Sequence, residues 1–360
     1  MNKKFYSMFA LLLAGILLLA ACSGGDNENE NNVDTDGNDT EEVNDNNNGN
    51  ENDGNDDVAS DINVGNLQIG TGGTGGTYYP LGIEMATVIN NNIEGYDGFD
   101  LSAVSSGASV DNLSNIYNGE FELGMTVHLP AVDALKGEGA FEEFGITVDN
   151  FGFMGHIYPE VMQIVAPADA DVETIADLRG KRVNIGPPGS GTQAAAKLIL
   201  EAYGIEDGDY EVYEEGFGDA AGRVQDGQLD ASFGLLGLPA GSIEQLAQQR
   251  DIKLISITDE GMDYITSNSG YEAYEIPADS YEFMDGPVIA LTAYAILVGS
   301  TDLIDEDLGY AITKALFENS GQITHDQGAH LTKENALLGS EGLPMHPGAE
   351  RYFREAGILE

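Results

Sequence analysis

The chain has 360 residues, and its 62 Asp and Glu outnumber 14 Lys and Arg, a formal charge of −48 with the five histidines neutral. Such an excess of acid excludes a nucleic-acid-binding protein, which needs a basic stripe to neutralise phosphates, and excludes adhesion to an anionic membrane through a polybasic face. The length allows one large or two medium domains, and 42% hydrophobic residues suffice for a core.

The charge divides unevenly along the chain. Residues 1–22 carry only Lys3 and Lys4, residues 23–61 carry fourteen acids and no base, and the remainder holds −36. Residues 1–22 read as a basic start, an apolar stretch from Phe9 to Leu19, and then Leu19-Ala20-Ala21-Cys22. A membrane span needs roughly twenty apolar residues, so this shorter core, ending in small residues, predicts a cleaved export signal rather than an uncleaved anchor. The chain's one cysteine, Cys22, closes that run. Its placement resembles the lipobox of bacterial lipoproteins, which implies lipidation of Cys22 and anchoring to the outer face of the cell membrane by two or more acyl chains. With no other Cys, an exported domain must be held by its core alone. Residues 23–65 are Asn, Asp, Glu and Gly with almost nothing apolar, which predicts a disordered tether of roughly 35 Å, extended further by its own charge.

From Leu67 short apolar runs alternate with amphipathic stretches. Strands are predicted at Leu67–Ile69, Phe99–Val104, Glu122–Val127, Val161–Ala166, Arg182–Ile185, Ala231–Leu235, Lys253–Ile257 and Val288–Val298. Helices are predicted at Leu81–Asn90, Val110–Tyr117, Thr192–Tyr203 with Gly204 beyond its end, Ser242–Gln249 and Leu308–Glu318. The alternation predicts an α/β architecture of doubly wound type. Two stretches begin alike, Leu67–Gly70 before a Gly/Thr loop and Val183–Gly186 before another, suggesting two α/β lobes with ligand loops at strand carboxyl ends.

Gly70-Thr71-Gly72-Gly73-Thr74-Gly75 matches the dinucleotide fingerprint, but the second strand ends in Ser105-Ser106 and lacks the acidic residue that holds a ribose. Gly186–Thr192 imitates a phosphate-binding P-loop, yet Thr192 stands where Lys is required. What survives is common to both motifs: glycines admit a ligand to the backbone, and unpaired N–H groups at a helix start favour an anionic group. Ser105-Ser106-Gly107-Ala108-Ser109 is a third such loop. Tight turns and N-caps would account for any one of them equally well.

Thr71–Gly82, Ser105–Leu113, Asn118–Gly124, Asp177–Val183 and Gly189–Thr192, in this order, resemble the TAXI family, the extracytoplasmic solute receptors of tripartite ATP-independent periplasmic (TRAP) transporters. The likeness runs from about Leu67 to Ala356, and the Thr71–Pro80 stretch is its most specific part. The resemblance implies a two-lobe periplasmic-binding-protein fold, type II, with residues 66–163 and 286–360 in one lobe and 164–285 in the other. It implies a monomer that captures a glutamate-like amino acid or carboxylate and delivers it to an integral-membrane TRAP permease. It places Thr71, Gly72, Thr74, Gly75, Gly76, Thr77, Tyr78, Ser105, Ser106 and Ser109 around the ligand from one lobe, with His128 where many relatives have Gln. It adds the end of the third strand to that lobe's lining, and from the other lobe it places Ser190, Gly191, Thr192, Gln193 and the Leu236-Gly237-Leu238-Pro239 turn. It implies no cofactor and no metal. A receptor of the same fold serving an ABC importer or a sensor is the alternative.

A dicarboxylate ordinarily meets a bidentate guanidinium, yet Arg179, Arg182, Arg223, Arg250, Arg351 and Arg354 all fall on predicted surfaces. One carboxylate is therefore expected to rest on backbone N–H and hydroxyl groups. An enzyme is not expected: His128, His156, His325, His330 and His346 lack metal-ligand spacing, and no G-x-S-x-G elbow occurs. An acidic receptor for anions further suggests work in brine, where salt cancels the long-range field.

Overall fold

The computed structural model describes residues 65–360. The export signal, Cys22 and almost all of the expected tether lie outside the described residues.

In chain order the elements begin with β1 (Asn66–Gly70), α1 (Tyr78–Asn92), β2 (Asp100–Val104), α2 (Ser109–Tyr117) and β3 (Leu123–Val127). Two short helices, α3 (His128–Lys136) and α4 (Ala140–Phe144), lead to the long strand β4 (Phe151–Pro167). Next come β5 (Arg182–Asn184), α5 (Gly191–Ala202), β6 (Glu211–Tyr213), α6 (Phe217–Gln225), β7 (Ala231–Leu236) and α7 (Gly241–Ala247). The remainder is β8 (Ile252–Leu254), α8 (Asp259–Asn268), β9 (Glu272–Ile276), the long β10 (Val288–Ser300), α9 (Glu306–Asn319) and α10 (Pro347–Glu355).

The strand order is β2-β1-β3-β10-β4-β7-β5-β6, with β8 on β4 and β9 on β10. Strands β1, β2 and β3 are parallel, as are β5, β6 and β7. Between these two groups, β10 and β4 run antiparallel to each other from Thr292↔Val161 to Ser300↔Phe151, with register shifts at Ala295/Ile296 and Leu297/Val298. Each long strand serves both groups. The first half of β4 pairs with β10 and, through a parallel bridge at Phe153↔Met345, with the segment before α10, and its second half turns to β7 and β8. The last part of β10 meets β3, and its first part meets β9.

Two main hydrophobic cores follow from this layout. One joins Leu67–Tyr158 to Ala295–Phe353 and includes Leu81, Met85 and Ile89 of α1, which lies against β2 and α9. The other is built largely from residues between Met162 and Ala293, with the Ala195, Ala196, Ile199 and Leu200 face of α5 turned inward. The crossing occurs near Pro159–Val161 and Thr292–Tyr294, where the long strands pass between the cores. The α5 helix ends as its sequence indicates: Gly204 takes φ +63, and its N–H closes on Glu201 O at 2.8 Å.

Candidate functional site

The carboxyl ends of β1, β3, β5 and β7 converge on one cleft, and helices α1, α2, α5 and α6 begin there. The cleft holds a cavity of ≈ 70 Å³. That is room for several waters or one small solute.

The loops of the first lobe are held by their own hydroxyl and amide groups. Thr71 Oγ1 donates to Val104 O at 2.7 Å, and Ser105 Oγ donates to Gly72 O at 3.0 Å. Buried Asn112 donates from Nδ2 to Thr71 O and Met125 O, each at 2.7 Å, while Ser106 Oγ donates to its Oδ1 at 2.6 Å. One side chain thus ties β1, the Ser105–Ser109 loop and β3 together. Ala108, just before α2, has φ +71, the one non-glycine residue with positive φ among the described residues, and it lines the cavity. Strain of this kind persists where the surroundings over-determine the backbone.

In the second lobe Ser190 caps α5, its Oγ accepting from Gln193 N at 3.1 Å. The first N–H groups of this helix have no intrahelical acceptor and face the cavity from Gly191 and Thr192. Thr192 Oγ1 accepts from Leu235 N at 3.2 Å, which fixes α5 against β7.

Besides Gln327 Nε2, which donates to Leu238 O at 3.2 Å, three contacts between the two sides involve the cavity loops. Val110 N donates to Gly189 O at 2.9 Å, and Gly237 N donates to Thr77 Oγ1 at 3.0 Å. At the third, Gly75 and Gly218 pass so closely that a Cβ on Gly75 would lie 2.4 Å from Gly218 Cα. Only a hydrogen fits there.

Of the residues expected around the ligand, Gly72, Gly76, Thr77, Tyr78, Ser109, Val127, Ser190, Gly191, Thr192 and Leu236 line the cavity. The others do not. Thr71, Ser105 and Ser106 spend their hydroxyls on loop carbonyls and Asn112, and Thr74 is exposed. Gly75 and Gly237 form the contacts between lobes just described. Gln193 bridges Gly189 N and Glu214. His128 starts α3, where its Nδ1 accepts from Tyr294 N at 3.2 Å and its ring lies 5.3 Å from the Tyr294 ring. Burial pulls its pKa down to about 4, so it is a neutral packing group.

Of the cavity's apolar walls, Val127 at the end of β3 and Leu236 fall within the expected lining, whereas Phe217 and Leu235 were not expected, nor was the base formed by Tyr158 and Glu160. Glu160 is 2% exposed and sits where β4 passes between the cores. The Tyr158 hydroxyl donates to its Oε1 at 3.2 Å. Tyr78 stands close enough to the same carboxyl and to Ser109 to interact with both, but its buried Oη makes no well-formed hydrogen bond among the described residues. Burial dominates and lifts the Glu160 carboxyl to about 7, while the two phenols pull it partly back. Burial likewise pushes both phenols well above their ordinary value, so they remain neutral donors. No Lys, Arg or His lines the cavity among the described residues. The six arginines pair outside it, Arg179 with Asp209, Arg182 with Asp230, Arg223 with Glu215, Arg250 with Asp169, Arg351 with Glu306 and Arg354 with Glu350.

Two α/β lobes joined by antiparallel crossing strands, with a cavity where their helices begin, constitute the type II periplasmic-binding-protein fold. The chain belongs to the NMT1-like family, matched over residues 69–357. Among solved structures it is similar to the alkanesulfonate-binding protein of Xanthomonas axonopodis pv. citri bound to MOPS, at 16% identity, covering 81% of this chain and 84% of that one with a TM-score of 0.46. It is also similar to the periplasmic aliphatic sulphonate binding protein of Escherichia coli, at 18% identity, covering 80% of this chain and 82% of that one with a TM-score of 0.43. A third is a putative L-cystine ABC transporter protein of Listeria monocytogenes, at 15% identity, covering 74% of this chain and 95% of that one with a TM-score of 0.45.

Proposed function

We propose that the chain is an extracytoplasmic solute receptor that closes two lobes around one small solute and presents it to a membrane importer. The observation that carries this reading is the cavity itself, built by loops from both sides and shut by contacts that depend on no covalent link. Hinge closure around a ligand fits two lobes connected by two long strands. The starts of α2 and α5, which reach the cavity at Ser109, Gly191 and Thr192, with the Ser109 and Thr77 hydroxyls beside them, suit one carboxylate or similar anion without a guanidinium. A lipid on Cys22 and the acidic tether would keep such a receptor at the membrane surface.

The importer is of one of two kinds. The TAXI-like loops Thr71–Pro80 and Ser105–Asn112 suggest an ion-coupled TRAP permease. An ATP-driven ABC importer is the second reading, and it is the kind of system in the name of the Listeria protein. Solute uptake by vesicles carrying the receptor and its neighbouring transporter separates them, since one requires an ion gradient and the other internal ATP.

The receptor reading is tested by a thermal-shift or calorimetric screen of amino acids and small carboxylates. A saturable rise in melting temperature with at least one solute is expected. If no small solute stabilised the protein while a macromolecular partner did, the reading would fail.

A further inference from the structure

A buried carboxyl with no cation near it needs a reason. Glu160 lies at the base of the cavity, is 2% exposed, and faces phenols alone: Tyr158 on its own strand, Tyr78 from α1, and Tyr271 before β9 at longer range. Its main chain is occupied, since its carbonyl accepts from Thr292 Oγ1 at 2.7 Å. Phenols cannot neutralise a carboxylate, so an ionised Glu160 remains an uncompensated buried charge, which proteins ordinarily pair. A second sign is the Tyr78 hydroxyl, buried in the wall close to Glu160 and Ser109 but without a well-formed hydrogen bond to either.

We propose that Glu160 receives a protonated amine of the solute, with the Tyr78 and Tyr158 hydroxyls as accompanying partners. This rests on the receptor reading and deepens it. The helix starts take the anionic end, Glu160 takes the ammonium, and Val127, Phe217, Leu235 and Leu236 enclose a short apolar body between them. The solute class is then a small zwitterionic amine such as an amino acid, and carboxylates without an amine are poor ligands. The ammonium replaces the missing counter-charge, so complex formation drives Glu160 to its ionised form.

That last consequence gives the test its sign. With its carboxyl lifted to about 7 in the free cavity, Glu160 is about half protonated at neutral pH. Binding an ammonium releases about half a proton, whereas binding a bare carboxylate beside Glu160 takes up about half a proton. The neighbouring phenols are raised away from this range, and His128 and His156 are depressed to about 4, so none of them confuses the reading.

The experiment is calorimetry on the full chain at pH 7 in buffers of different ionisation enthalpy. The probes are matched pairs of amino acids and their desamino carboxylates, such as glutamate with glutarate and alanine with propionate. The wild type is expected to bind at least one amino acid with proton release and at least tenfold more tightly than its partner. Glu160→Gln is expected to weaken that amino acid by about a hundredfold, the usual scale for removing one side of a buried pair. Desamino carboxylates that bind equally well with proton uptake would overturn this inference and leave the receptor reading in place. So would undiminished amino-acid affinity in a folded Glu160→Gln protein. Absence of binding by every solute would remove the receptor reading and this inference with it. Because the proton count uses the wild type alone, the inference stays falsifiable even if the variant folds poorly.

Discussion

Holding Glu160 in the cleft is costly before any solute arrives. Its carboxyl is raised from 4.5 to about 7, so the folded protein keeps a proton that the unfolded chain has already lost over that interval. Stability from this group is therefore fully present below pH 4.5 and is lost as pH rises through 7, by roughly 3 kcal/mol. Two buried histidines act oppositely: His128 and His156 are depressed to about 4, and the stability they contribute is lost as pH falls from 6.5 through 4. The wild-type profile thus mixes two opposed windows, and a paired comparison is needed. In urea melts without solute, Glu160→Gln is expected to match the wild type near pH 4.5 and exceed it by pH 8, with the gap opening between pH 5 and 7. Parallel profiles would show that Glu160 is ionised at little cost. This residue left a trace in the sequence that was not followed. Phe151–Pro167 is apolar apart from a few positions, and a lone carboxylate in such a run is what a fully buried strand does not ordinarily tolerate.

Element by element, many regular parts of the chain were legible, including the crossing strand β10, expected at Val288–Val298, while the first half of the other crossing strand, β4, was not. The β3 strand, the α5 helix with its Gly204 end and the α2 helix lie within one or two residues of expectation, because each has clear periodicity and a turn at its border. By contrast β4 was expected only at Val161–Ala166, its second-lobe half. Gly152, Gly155 and Pro159 interrupt the first half, and burial on both faces removes the alternation that marks a strand. Losing that half meant losing Tyr158 and Glu160, the base of the site. Helices α3, α4, α6, α8 and α10 were also unread. Here α6 places Phe217 in the wall, but Gly216 and Gly218 flank it and weaken its helical signature. Substitutions separate the roles of these elements. Ser190→Ala removes the cap of α5 and is expected to cost about 1 kcal/mol in chemical denaturation as well as weaken solute binding. Thr77→Ala deletes the acceptor for Gly237 N and is expected to weaken binding with little change in ligand-free stability. Gly75→Ala places a methyl against the Gly218 backbone and is expected to reduce affinity at least tenfold by blocking closure, with a larger radius of gyration in solution scattering when solute is present. Unchanged affinity in this last variant would show that the Gly75–Gly218 approach is not part of the closed state.

Across the whole molecule, the acidic charge that dominates the composition reaches the cavity, among the described residues, only through Glu160. The arginines are spread over surface carboxylates, most pairs being well exposed, and such pairs contribute little individually. The large acid excess is therefore felt as repulsion, which salt screens: the Debye length falls to about 3 Å near 1 M. The melting temperature is expected to rise steadily from low to molar salt, while solute affinity holds, since a buried ammonium–carboxylate pair is screened much less than surface charge. Affinity that falls steeply with salt would place the decisive interaction at the surface instead.

The placement of β10 between β3 and β4 also sets an order of assembly. A chain emerging from its amino end makes β3 and β4 long before the strand that must lie between them, so until Val288–Ser300 appears each presents an unsatisfied edge. The core around α5 closes with residues up to Ala293, whereas the other core also waits for Phe317 on α9 and Phe353 on α10. The lobe that starts first in sequence is thus the last to be completed, and the cleft cannot exist until nearly the whole chain has been made.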